Sequence, residues 1–156
     1  MSSFSFSYVL VAASPLLVGM GSAWLLTPRR FVQCGRRPTI QPPGWVFSVA
    51  WTALYLLAGV AAASAWRRAN RRWTRGLAAL AASILVLAAW WVVFANWCAP
   101  AAAFTAIVPA TGLVVAASAL LFADGDRVAS ALLLPLVAWM VFASTLSFLS
   151  IEKKTG

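Results

Sequence analysis

With 156 residues, 63% of them hydrophobic and only 10% charged, at a mean hydropathy of +0.88, the chain cannot clothe a water-soluble domain, so its solvent is lipid. The absence of histidine and the presence of only three acids, Asp124, Asp126 and Glu152, leave little for acid-base or metal chemistry. Twelve Lys plus Arg give a formal charge of +9, but they adjoin apolar runs, which points to anionic lipid headgroups as partners rather than nucleic acid.

The first predicted span runs from about Tyr8 to Leu26. It lacks the basic flank of a secretory signal and is longer than a usual signal core, so it is read as a retained span. Pro15 is positioned to kink it, and Gly19, Gly21, Ser22 and Ala23 let a neighbouring helix or a ligand approach its backbone. Thr27 to Gln41 is the longest polar stretch and carries Arg29, Arg30, Arg36 and Arg37; its composition suits a loop across the mouth of a bundle. Cys34 and Cys98 show no metal-ligand spacing and are read as free thiols.

Pro42 and Pro43 stop what precedes them and pre-set the backbone for a helix. The second span, residues 45–66, has no charge over a length of about 22 residues, enough at about 1.5 Å each to cross a core of about 30 Å. Trp51 and Tyr55 share one face of it, either packed against neighbouring helices or turned to a ligand. Five arginines between Arg67 and Arg75, with Trp73 among them, form a connection that binds headgroups; an RNA-binding patch is the alternative.

The charge-free run from Gly76 to Ala123 is too long for one span and breaks near Asn96 to Pro100, giving spans at 76–97 and 101–123. Gly76, Ala78, Ala79, Ala82 and Ser83 make a smooth patch on the third span, open to a second copy or to packing within the bundle; Gly59 and Ala63 have the same spacing. Asp124-Gly125-Asp126 is a turn and cap signal, and a fifth span follows at 128–151. The fold class is therefore all-α, an integral membrane five-helix transmembrane bundle forming a single domain, with its termini on opposite faces. Lys and Arg number six on each face, so charge bias assigns no orientation. Serine and threonine hydroxyls can bond the preceding turn, whereas Asn96 either bridges helices or points into a cavity.

The order Pro38-x-x-x-Pro42-Pro43-x-Trp45-Val46-Phe47, followed by Trp51-Thr52-x-Leu54-Tyr55, resembles the signature of the TspO/MBR family of tryptophan-rich sensory or translocator proteins. Asn96-Trp97 and the run from Pro135 through Ala138-Trp139 to Phe142 and Leu146 extend the resemblance over nearly the whole chain. The resemblance implies a receptor or transporter with a pocket for lipophilic ligands: porphyrins, sterols, and drugs of the benzodiazepine and isoquinoline carboxamide types. Carried over by match, the pocket is lined by Ala23, Phe47, Trp51, Asn96, Trp139, Ala143 and Leu146, with the Thr27 to Gln41 loop as lid. It also implies a homodimer. Arg36 and Arg37 would meet porphyrin propionates at the mouth. Ile40, Val92 and Ala99 stand where Trp, Gln and Trp are usual, and Phe148 stands where a sterol pattern has Tyr.

No metal and no cofactor is expected. The competing functions are breakdown of bound porphyrin, with Trp51 and Trp139 as the redox-active aromatics, and a dimeric membrane scaffold. The resemblance leaves the membrane open among bacterial envelopes, the mitochondrial outer membrane and the secretory pathway.

Overall fold

The computed structural model describes residues 2–26, 37–97 and 99–151. They form five helices: α1 (Ser2–Leu26), α2 (Gly44–Arg68), α3 (Arg75–Asn96), α4 (Pro100–Ala123) and α5 (Arg127–Leu149). All five are long and apolar enough to cross a membrane. The chain is thus a multi-pass integral membrane protein. Helix α1 begins six residues before the expected Tyr8, at Ser2, ahead of the apolar run.

Each boundary has a local cause. Pro43 holds φ −57° and ψ 149° ahead of α2, and its carbonyl accepts from Val46 N at 3.0 Å. Thr74 caps α3 by accepting from Leu77 N at 3.3 Å, and Pro100 occupies the first turn of α4, where no donor is lost. Helix α4 ends in a Schellman motif: Asp126 N donates to Leu121 O and Gly125 N to Phe122 O, with Gly125 at φ +83°. Asp126 then caps α5, its Oδ1 accepting from Ala129 N at 3.1 Å, so one residue closes one helix and opens the next. Helix α2 ends the same way, Arg71 N donating to Trp66 O and Asn70 N to Arg67 O, but with Asn70 and Arg71 in the left-handed region instead of glycine.

In lipid, backbone groups freed by proline need partners. Pro15 cannot donate to Val11, and the Ser14 hydroxyl donates to that carbonyl instead at 2.9 Å. Thr52, Thr105, Thr111, Ser144 and Thr145 each donate to a carbonyl of their own preceding turn, as expected of hydroxyls inside spans. Two hydroxyl pairs also tie α4 to α5: Thr111 with Ser144 at 3.3 Å and Ser118 with Ser130 at 3.0 Å.

Around the bundle, neighbours run α1, α2, α5, α4, α3 and back to α1. Small residues set the closest approaches. A Cβ on Gly59 of α2 would collide with the Ala12 carbonyl oxygen of α1, and one on Gly76 of α3 would lie 2.9 Å from Leu121 Cδ2 of α4. Of the smooth patch on α3, Gly76 and Ser83 are buried within the bundle while Ala78 is exposed. The core is the line of Ala58, Ala61, Ile107, Val114, Leu133, Leu136 and Met140 between α2, α4 and α5, all fully enclosed.

Candidate functional site

A cavity of about 480 Å³ opens at the end of the bundle where α2 begins and α1, α3 and α5 finish. Helix α4 packs on the far side of the bundle and contributes nothing to its wall. Gly19, Met20 and Ala23 supply the α1 side, where the missing side chain of Gly19 admits the Tyr55 ring against the helix backbone. Phe47, Ser48, Trp51 and Tyr55 supply the α2 side, on successive turns from the Pro43 cap inward. Leu87, Trp90, Trp91 and Phe94 come from α3; Ala143, Leu146, Ser147 and Ser150 come from α5.

Trp51 is the centre of an aromatic wall. It stacks on Tyr55 at 5.5 Å between centroids and 25° between planes, lies 6.1 Å from Trp90, and takes Trp139 edge-on at 6.2 Å and 88°. Trp90 in turn stacks on Phe94 at 5.4 Å and 20°. Only 8% of the Trp51 surface is exposed, so its ring is both a packing element and a cavity face. Such offset and edge contacts add about 0.5–1.5 kcal/mol per pair beyond the area buried, which holds the tryptophan planes in fixed orientation.

The polar groups sit at the mouth. Arg37, Gln41 and Pro42 border it, and Gln41 N donates to Pro38 O at 3.1 Å in the turn that leads to α2. Ser48, Ser147 and Ser150 add hydroxyls, that of Ser150 donating to Leu146 O at 2.8 Å. Among the described residues the interior is therefore mostly hydrocarbon and π surface, with polar atoms from Tyr55 and Trp90 within it and Arg37 at the opening. Of the expected lid, Arg37 and Gln41 border the cavity; Thr27 to Arg36, Cys34 included, lie outside the described residues, as do Cys98 and Glu152.

Five residues carried over by resemblance, Ala23, Phe47, Trp51, Ala143 and Leu146, meet around this cavity. Trp139 stands behind that wall, touching Phe47 edge-on at 5.6 Å and 71° as well as Trp51, with its indole Nε1 buried and without a hydrogen-bond partner. Asn96 is exposed at the last residue of α3, and its Nδ2 donates to Val92 O at 3.1 Å, one turn back. Trp90, Trp91 and Phe94 are additions; their spacing of one, three and four residues with Leu87 puts them on one helix face, a signal present in the sequence but diluted by an α3 that is apolar on every side. Among the described residues, no three His, Cys, Asp or Glu side chains are grouped as metal ligands would be.

Fold and site together define an all-α membrane protein that encloses an aromatic, largely apolar cavity open at one face. The model of the TspO/MBR family matches residues 10–151, and the chain belongs to that family. A comparison with curated proteins gives no match.

Proposed function

We propose that the protein is a membrane receptor or transporter for lipophilic ligands that are flat and carry an acidic group, tetrapyrroles such as porphyrins first among them. The observation that carries this reading is the pairing of the Trp51 and Trp90 faces inside the cavity with the Arg37 guanidinium at its mouth. A planar macrocycle gains stacking on the indoles and leaves its carboxylates where a charged donor and water can meet them. The volume of about 480 Å³ lies within the range of about 300–1,000 Å³ common to small-molecule sites. In this reading Ala23, Phe47, Trp51, Ala143 and Leu146 are the contact surface, Trp139 holds Trp51 and Phe47 edge-on, and Asn96 offers an amide beside the rim. Ala143 leaves room that a larger side chain would take.

A homodimer is part of the same proposal. Ala78, Leu85 and Ala89 are exposed along one side of α3, with Ala82 half-buried between them, a low-relief strip that lipid alone covers in a single copy.

Protoporphyrin IX and its dimethyl ester, titrated separately into the detergent-solubilised protein and followed by tryptophan fluorescence quenching, test the ligand reading. The free acid should bind more tightly than the ester, and Arg37→Gln should erase the difference by weakening only the acid. A charged hydrogen bond is worth about 1.5–3 kcal/mol when well formed, and at the exposed Arg37 the lower part of that range applies. Quenching that never saturates for either compound refutes the reading and moves the weight to a scaffold whose cavity is empty of function.

A further inference from the structure

At the opposite end of the bundle a second cavity, of about 300 Å³, lies between the start of α1 and the end of α2. Ser7, Tyr8, Trp66, Arg67, Asn70 and Arg71 line it. Two arginines thus line one small space. Asp126, near the same end of the bundle, accepts from Ser64 Oγ and Ala129 N, and Arg68 Nε lies 3.9 Å from its Oδ2. Successive arginines therefore face different ways, Arg68 to the α4–α5 turn and Arg67 to the cavity.

The backbone reinforces the arrangement. Asn70 and Arg71 hold φ of +50° and +63°, the second of these in a residue type that rarely enters the left-handed region. A glycine at either place would close α2 with less strain, so the chain bears a conformational cost that sets Arg71 beside the cavity. Depth fixes what can reach it. Tyr8 stands just inside the apolar window of α1, which opens at Phe6, and Trp66 in the last turn of α2, the level at which amphipathic aromatic rings mark the lipid-water interface. The space, of about 300 Å³, is more than a bare phosphate fills and admits a phosphate with its glycerol.

We propose that this cavity binds the headgroup of one anionic phospholipid of the phosphatidylglycerol type, its phosphate between Arg67 and Arg71 and its acyl chains in the lipid beside α1 and α2. A guanidinium pair matches phosphate oxygens with several parallel donors, and Tyr8, Trp66 and Asn70 frame the glycerol.

The test uses the full chain in a neutral detergent, with bound lipid counted by native mass spectrometry after addition of dioleoylphosphatidylglycerol, dioleoylphosphatidylcholine or inorganic phosphate. One equivalent of phosphatidylglycerol should be retained in preference to phosphatidylcholine. At about fivefold per arginine, the pair Arg67→Gln and Arg71→Gln should weaken retention about 25-fold. The pair Arg72→Gln and Arg75→Gln, equal in charge but outside the cavity, should change it less than about threefold, since a neutral micelle offers them no anionic surface. Arg71→Gly separates the site from the fold: it should unfold at the same temperature as the parent or higher while losing phosphatidylglycerol. Equal losses from both pairs, full retention by Arg71→Gly, or competition by inorganic phosphate at the lipid's own concentration would each overturn the proposal.

Discussion

Gly59 and Gly21 both lie inside helices, yet the same substitution should act on them with opposite sign. At Gly59 a methyl group would overlap the Ala12 carbonyl oxygen, a backbone atom of α1 that cannot rotate aside, whereas at Gly21 nothing lies within 4 Å of the added carbon. Helix propensity alone favours alanine over glycine by about 0.5–1 kcal/mol. Overpacking a tight contact costs about 1–3 kcal/mol. For Gly59→Ala the second term wins because the obstruction is main chain, and the net is a loss of about 1–2 kcal/mol; Gly21→Ala retains only the first term and gains up to about 1 kcal/mol. Thermal unfolding in detergent should therefore fall by about 2–8 °C for Gly59→Ala and rise by up to about 4 °C for Gly21→Ala, at about 2–4 °C per kcal/mol for a chain of this size. Relief of the overlap requires α1 to move off α2, and α1 carries Gly19, Met20 and Ala23 of the cavity wall. Ligand affinity should fall with stability in Gly59→Ala. An unchanged midpoint for Gly59→Ala, or equal losses for both variants, would refute the packing argument.

Asp126→Ala removes the α5 cap and the acceptor for Ser64 at a residue only 4% exposed, and should cost about 2–3 kcal/mol, read as a lowered unfolding midpoint. Asp126→Asn keeps an acceptor for Ala129 N and should recover more than half of that loss. Gly125→Ala places a side chain at φ +83° and should cost about 1–2 kcal/mol by the same assay, although no neighbour obstructs it. Ser14→Ala strips the hydroxyl that serves the Val11 carbonyl beside Pro15, and should lower the midpoint by an amount corresponding to about 1 kcal/mol.

Most of the architecture is legible in the residues, because a membrane imposes few options: charge-free runs of span length, broken by Pro42-Pro43, by the arginines before Arg75, by Pro100 and by Asp124-Gly125-Asp126, are five helices. Local chemistry places those breaks, so they survive in the structure to within a residue or two, save at Ser2, where α1 runs further than hydropathy indicates. The cavity is less legible. In a soluble helix the apolar stripe identifies the inward face, but α3 is apolar all round, so the spacing that groups Trp90 and Phe94 with Leu87 does not by itself mark that face as inward against the lipid-facing Leu85. Small residues are equally ambiguous: Gly59 and Gly76 meet other helices of the same chain, while Ala78 on the same α3 patch faces outward. Asn96 is the last residue of α3, where hydropathy fixes the helix end only to within a residue or two and a shift of a single residue rotates a side chain by about 100°.

The most direct test of the cavity as the ligand site is a matched pair on α5. Ala143 borders the cavity and is 3% exposed, while Ala138, five residues earlier, faces outward. Protoporphyrin IX titrated into Ala143→Phe should bind about tenfold or more weakly than into the parent, the ring occupying the space between Trp51 and Leu146, at a loss of about 1.4 kcal/mol or more. Ala138→Phe should bind within about twofold of the parent. Equal affinity in both variants would contradict the account and place porphyrin on the outer surface of the bundle.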